Sequence, residues 1–238
     1  MTDQSSILVT GCSSGIGLAT TRLLLEKGRS VIGMSRNPSR AGITNTNFTE
    51  VIADLGDLDQ LQNALKTILK DHKIETLVHC AGEGLFGSIE QFSVDQINRN
   101  ITVNLTSSLV LCRQLVPHMR RLGHGRLVIL GSESAISAGK KGSLYSAAKF
   151  GLRGLCQSLR ADCAADGIAV SLVNPGMVRS PFFNQQSFAP GPLPENAIEV
   201  DDVAVQILNL LETPANLVID EINLSPMVKS LQFRKPGE

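Results

Sequence analysis

Ile7-Leu8-Val9-Thr10-Gly11-Cys12-Ser13-Ser14-Gly15-Ile16-Gly17 decides the fold of this chain. The apolar run Ile7 to Thr10 reads as a short strand. A helical stretch follows from Gly15 to about Lys27, with Ile16, Ala19, Leu23 and Leu24 at helical spacing and Gly28 as its stop. The glycines between the two permit a tight turn and let a pyrophosphate approach the backbone. The helix start offers free N–H groups and the positive end of a dipole to that anion. A glycine-rich turn is weak alone, but after a strand and before a helix it reads as a dinucleotide phosphate loop. Gly11, Ser13, Ser14, Gly15, Ile16 and Gly17 are then the expected cofactor contacts.

Strands and helices keep alternating beyond it. Ser30–Met34, Glu50–Ala53, Thr76–Cys80, Arg126–Leu130, Ala169–Val173 and Leu217–Ile219 read as further strands. Helices are expected from Asp57 to about Lys70, from a capping box at Ser93–Gln96 to about Leu122, and from the neighbourhood of Tyr145 to about Ala165. The strands are continuously apolar, which fits strands covered by helices on both faces. The expected fold is α/β: a doubly wound, Rossmann-type parallel sheet of about seven strands in a three-layer α/β/α sandwich. No composition break interrupts the pattern, so residues 1–238 read as one domain. The least regular part, about 180–199, is rich in Pro, Gly and Phe and is either a surface loop or a flap over a pocket.

Composition excludes other classes. Hydrophobic residues make up 42% and charged residues 18%, too apolar for a disordered chain. Lys plus Arg and Asp plus Glu are balanced at 22 each, which argues against a broad nucleic-acid-binding face. No apolar run approaches the length of a membrane helix, and the polar start Met1–Ser6 does not read as a signal peptide. The five cysteines have no Cys-x-x-Cys spacing, so no metal is expected and a reduced cytoplasmic protein is.

Where the second strand ends, a carboxylate would bind an adenosine ribose hydroxyl; this chain has Ser35-Arg36, with Arg40 nearby. A guanidinium matches a 2′-phosphate in charge and shape, so NADP is expected over NAD. Tyr145, the only tyrosine, precedes Lys149 by one helical turn. An ammonium on that face is expected to lower the phenol pKa, as a proton donor near neutral pH requires.

Together, Thr10-Gly11-x-x-x-Gly15-Ile16-Gly17, Asp54-Leu55, Ala81-Gly82, Val103-Asn104-Leu105, Ser132, Tyr145-x-x-x-Lys149 and Pro175-Gly176-x-Val178 resemble the short-chain dehydrogenase/reductase family, in its compact single-domain branch. The resemblance covers nearly the whole chain. It implies hydride transfer between a nicotinamide and a carbonyl or secondary-alcohol substrate. Tyr145 would be the acid/base, Lys149 its partner and a ribose contact, Ser132 a hydrogen bond to the substrate oxygen, and Asn104 the holder of a water leading to Lys149. Asp54, Leu55, Ala81, Gly82, Pro175, Gly176, Val178 and Ser180 would lie along the cofactor. It also implies a homodimer or homotetramer built on the long helices, for which Val110, Leu111, Leu115 and Met119 are compatible exposed-face residues. A non-catalytic dinucleotide-binding sensor on the same fold is the alternative.

Two departures stand out, one of them Ser180 where the family commonly has threonine. His79-Cys80-Ala81-Gly82 occupies the place where the family carries Asn-Asn-Ala-Gly, and His79 reads as a core histidine. Glu83, just past Gly82, either reaches the pocket or is a solvated loop carboxylate, the preferred reading. Leu144, Phe182, Phe183 and Phe188 are candidate pocket walls, and the tail Pro226–Glu238 either covers a neighbour's pocket or frays.

Overall fold

The strand that feeds the phosphate turn, β1 (Ser6–Thr10), is buried along its whole length and leads through the turn into α1 (Gly15–Glu26). The computed structural model describes residues 5–234, so the expectations at residues 1–4 and 235–238 lie outside the described residues. The chain continues through β2 (Ser30–Ser35), β3 (Phe48–Ile52), α2 (Leu58–Asp71) and β4 (Ile74–His79). Asp57 caps α2 by accepting the Gln60 N–H. Ser93 and Gln96 close a reciprocal capping box on α3 (Val94–Ile101). That helix runs through one π-helical turn, Thr102–Thr106, into α4 (Ser107–Leu122). Next come β5 (Gly125–Leu130), α5 (Ser143–Cys163) and β6 (Ile168–Pro175). Short strands β7 (Val178–Arg179), β8 (Phe188–Pro190) and β9 (Ile198–Glu199) precede α6 (Val200–Leu211), β10 (Glu221–Leu224) and β11 (Leu231–Phe233).

Seven strands form one parallel sheet in the order β10-β6-β5-β4-β1-β2-β3. Strand alternation sends Leu8, Ile32, Leu77 and Leu127 into a core with Leu111, Leu115 and Leu152 of α4 and α5. Ile7, Val9, Val31, Val78 and Val128 point the other way, onto Leu24 of α1 and Val203 and Ile207 of α6. Two cores on opposite faces of one sheet are the expected doubly wound, three-layer α/β/α fold. The strand order reverses between β1 and β4, which opens a crevice at their carboxyl ends.

Three expectations fail. Leu217–Ile219 is not a strand; the seventh strand is Glu221–Leu224, because pairing to β6 starts where the Leu172 N–H meets the Asp220 carbonyl and Glu221 takes Arg153 and Asn174. Val110, Leu111, Leu115 and Met119 are not an exposed face: the last three are fully buried and Val110 packs against the same core. Part of the C-terminal tail neither frays nor leaves the molecule, since β11 pairs antiparallel with β8 of its own chain. Sequence reading also passed over α6, whose Val203, Ala204, Ile207 and Leu208 share one face behind Asp201 and Asp202 in the first turn.

Candidate active site

The crevice at the switch point opens into a continuous cavity of about 960 Å³. One end is the phosphate turn. Gly15 has φ +54, and a Cβ there would touch only the Ser180 side chain, at 3.7 Å, so the turn stays open to a ligand on that side. Gly17 cannot carry a side chain, because its Cβ would lie 2.3 Å from the Gly11 carbonyl oxygen. Ser14 caps α1 with extended backbone and no side-chain cap bond, which leaves the helix-start N–H groups for an anion. These features fit a dinucleotide pyrophosphate.

Arg36 and Arg40 line the wall beyond β2. Arg36 Nη1 sits 3.2 Å from Glu83 Oε1, and the same carboxylate meets Arg99 Nη2 at 3.2 Å. Glu83 is therefore a paired residue of the cleft wall and not a solvated loop carboxylate. Arg99 also reaches Asp54 at 3.4 Å. Burial works against the Asp54 carboxyl, yet the Gly56 N–H and Arg99 hold it below its ordinary range.

At the other end, Tyr145 lies in the first turn of α5 and is 7% exposed; Lys149, one turn on, is 4% exposed. The phenol is not acidified as expected. Burial pushes Tyr145 up to about 12, with the Ser132 hydroxyl opposing that rise and the Glu133 charge adding to it. Burial also pulls Lys149 down to about 8. Its Nζ donates to the Leu130 carbonyl at 2.9 Å and stands 5.6 Å from the centre of the Tyr145 ring.

Ser132 sits at the end of β5 in extended backbone. Its N–H donates to Asn174 Oδ1 at 3.2 Å, and its Oγ accepts the Ser134 N–H at 3.1 Å. Asn174, 1% exposed, is held in turn by Glu221 at 2.7 Å and Asn223 at 3.0 Å. Glu221 also pairs with Arg153 of α5, at 3.0 Å, so one polar chain ties the Ser132 turn to the helix bearing Tyr145. No signal in the sequence singled out Asn174.

Asn104 lies inside the π-helical turn, 1% exposed. Its amide clamps Glu83, donating to that residue's carbonyl at 2.9 Å and accepting its N–H at 3.0 Å, and donates to the Asn100 carbonyl at 3.1 Å. A Cβ on Gly82 would fall 2.9 Å from Asn104 Oδ1 and 3.7 Å from Lys149 Nζ, so the three positions are neighbours.

The cavity wall gathers Gly11, Ser14, Gly15, Ile16, Gly17, Arg36, Ala81, Gly82, Ser132, Tyr145, Lys149, Pro175, Gly176, Val178 and Ser180. Ser13, Asp54, Leu55 and Asn104 lie outside that wall: Leu55 is core, and Asp54 and Asn104 act on groups behind it. Of the candidate pocket residues, Phe182, Phe183 and Phe188 line the cavity, whereas Leu144 is buried elsewhere. Phe86, which sequence reading missed, packs on the Tyr145 ring at 5.1 Å, and Phe182 does so at 5.8 Å.

His79 is a core histidine, as expected. Its Nδ1 meets Thr10 Oγ1 at 2.7 Å and its Nε2 meets Ser108 Oγ at 2.8 Å. Thr10 Oγ1 also accepts the Ala81 N–H at 3.2 Å, so the hydroxyl joins the imidazole to the turn that follows β4. This network stands where the family has asparagine, and it fixes the end of β4 against β1 and α4. All five cysteines are free thiols, and burial pushes Cys80, Cys112 and Cys156 up to about 12. Among the described residues no cluster of His, Cys, Asp and Glu is arranged to hold a metal, and no helix is long and apolar enough to cross a membrane.

The sequence profile of the family described as short chain dehydrogenase matches residues 5–189. An uncharacterized oxidoreductase of Staphylococcus epidermidis is 28% identical over 226 residues, covering 92% of this chain and 96% of that protein. A short chain dehydrogenase of Penicillium brasilianum is 34% identical over 176 residues, 72% of this chain and 68% of that protein. Among solved structures, a serine dehydrogenase complexed with NADP+ superposes with a TM-score of 0.81 at 21% identity, covering 92% of this chain and 94% of that one.

Proposed function

The chain belongs to the short-chain dehydrogenase family and is an oxidoreductase of the CH–OH/C=O class; from that premise we propose that it interconverts a carbonyl compound and its secondary alcohol with NADP. The observation that carries this reading is the meeting of Ser132, Tyr145 and Lys149 with the phosphate turn in one cavity. When bound, the nicotinamide supplies or accepts the hydride. The protein's part is the oxygen. Tyr145 keeps its proton at neutral pH and gives it to the substrate oxygen as negative charge grows there. Ser132 donates a second hydrogen bond to the same atom. Both interactions strengthen only as the charge forms, which lowers the barrier without tightening the ground state. Lys149, held by the Leu130 carbonyl, lends positive charge to the phenolate that remains. Asn104 fixes the Glu83 backbone beside Gly82 and so shapes the cofactor wall; a water held there and leading to Lys149 belongs to this proposal.

NADP is favoured over NAD because Arg36 and Arg40 face the cleft, and Arg40 carries no ion pair among the described residues. A homodimer or homotetramer is inferred as well, with Leu109 of α4 (45% exposed) and Phe150 of α5 (43% exposed) as the apolar groups it would cover. The test of the activity is a panel of ketones and aldehydes with NADPH and NADH, followed by loss of the reduced nicotinamide absorbance. Turnover that is abolished in Tyr145→Phe while NADPH still binds supports the reading. Binding without turnover of any carbonyl by the unaltered protein would instead favour a non-catalytic dinucleotide sensor.

A further inference from the structure

Part of the cavity wall is built by the C-terminal segment. β11 lies antiparallel on β8, with Phe233 opposite Phe188 and Leu231 opposite Pro190. The pairing is held at several points. The Arg234 N–H donates to the Ser187 carbonyl at 2.9 Å, the Gly191 N–H to the Ser230 carbonyl at 3.0 Å, and the Val228 N–H to the Glu195 carbonyl at 2.9 Å. Lys229 Nζ reaches Glu133 Oε2 at 2.6 Å, which ties the segment to the turn that follows Ser132.

Leu231 and Phe233 both line the cavity, yet they remain 50% and 71% exposed. Phe233 is thus an apolar ring held by a hydrogen-bonded strand with most of its surface open. From it, aromatic rings continue inward to the reacting phenol. Phe188, opposite Phe233, packs edge-on to Phe86 at 5.1 Å, and Phe86 packs on Tyr145 at 5.1 Å. Aromatic rings therefore line one side of the cavity between the phenol and the C-terminal strand, with Asn184, Gln185 and Gln186 also in the lining. A small ketone would touch only the inner end of that side.

We propose that β11 is the specificity-determining wall of this site, and that the substrate is a bulky apolar carbonyl compound, at least two fused rings or an equivalent chain, whose body lies along Phe86 and Phe188 and ends on Leu231 and Phe233. This rests on the carbonyl-reductase reading for its chemistry, but the binding claim is separable from turnover. The aromatic side chains supply area and edge-to-face contact, and they add no polar group that would select a hydroxylated body.

The test compares 2-tetralone, a fused-ring ketone, with cyclohexanone, in the full chain and in Phe233→Ala. Phe233 is mostly exposed and outside both cores, so the variant is expected to fold with its Tm unchanged. The expected result is a KM for 2-tetralone raised about tenfold with kcat and the NADPH Kd preserved, cyclohexanone changed less than about twofold, and recovery in Phe233→Leu. An equal effect on both ketones, or none on 2-tetralone, overturns the proposal. If the unaltered protein reduces neither ketone, the activity assignment fails for these compounds, and calorimetry of the NADP+-loaded protein with 2-tetralone decides the wall separately. Binding weakened about tenfold by Phe233→Ala then upholds it, and absent or unaltered binding overturns it.

Discussion

Lys149 Nζ donates to the Leu130 carbonyl oxygen at 2.9 Å, and the ammonium is aimed at the end of β5 and not at the neighbouring phenol. Among Lys149's neighbours that carbonyl is the acceptor fixed by the sheet, so the lysine holds its place whether or not Tyr145 is ionised. Burial has drawn its pKa to about 8. Above that value the amine becomes neutral and can no longer stabilise a phenolate left behind by proton transfer. Carbonyl reduction is therefore expected to fall as pH rises through about 8, approaching tenfold per pH unit. A pH profile of kcat/KM at saturating NADPH measures this. In Lys149→Met the rate should be low and without that limb; a limb retained in the variant would assign it to another group.

Asn174 holds the backbone of Ser132 from behind and is itself held by Glu221 and Asn223. Replacing it with alanine leaves a half-buried N–H and a half-buried carboxylate oxygen without their partner, a loss of about 1 kcal/mol in stability. If it also positions the serine, Asn174→Ala should lower kcat about tenfold, with NADPH affinity within about twofold. The split between kcat and cofactor affinity, measured together with the urea midpoint, separates the two roles. A fall in stability with kcat intact would make Asn174 a scaffold residue only.

The parts of the fold that sequence exposes are those governed by short-range rules. β1, the phosphate turn and α1 follow from an apolar run, two steric glycines and a helical stripe, and the Ser93 capping box works as written. What stayed hidden depends on partners distant in the chain. Leu217–Ile219 has the apolar content of a strand, but Glu221 and Asp220 carry the polar ties that place the edge of the sheet. Leu111, Leu115 and Met119 have no local mark that says inward or outward; that is set by which face of α4 meets the sheet. Within the site, Tyr145 and Lys149 are legible as a spacing and Ser132 through the family resemblance, whereas Phe86 and β11 enter the pocket only through tertiary packing. The phenol pKa was misjudged for the same reason, since burial outweighs a neighbour whose charge points elsewhere.

Arg36 is shared between the cleft and Glu83, and Glu83 already has Arg99 as a second cation. Arg36 can therefore turn toward a 2′-phosphate without leaving the carboxylate unpaired. NADPH is expected to bind at least about tenfold more tightly than NADH, and Arg36→Asp should erase or reverse the difference. Titration of both reduced cofactors by fluorescence checks it. Equal affinities in the unaltered protein would remove Arg36 from cofactor selection.

His79 makes the stability of the protein sensitive to acid. Burial, aided by the positive charge of Lys149, lowers its pKa from 6.5 to about 3. As pH falls through 6.5 the unfolded chain takes up a proton that the native chain refuses until about 3. Stability contributed by the neutral imidazole is thus complete above 6.5 and is lost as pH falls toward 3, at up to about 1.4 kcal/mol per pH unit. Between pH 6.5 and 5 the loss from this group is expected to reach roughly 2 kcal/mol. His79→Asn cannot titrate, so it should be less stable at pH 7, through loss of a link to Thr10 or Ser108, yet show a shallower decline in acid. Urea unfolding of both proteins at several pH values between 7 and 4.5 reads the two slopes directly, and parallel slopes would mean that the histidine takes up its proton without unfolding the chain.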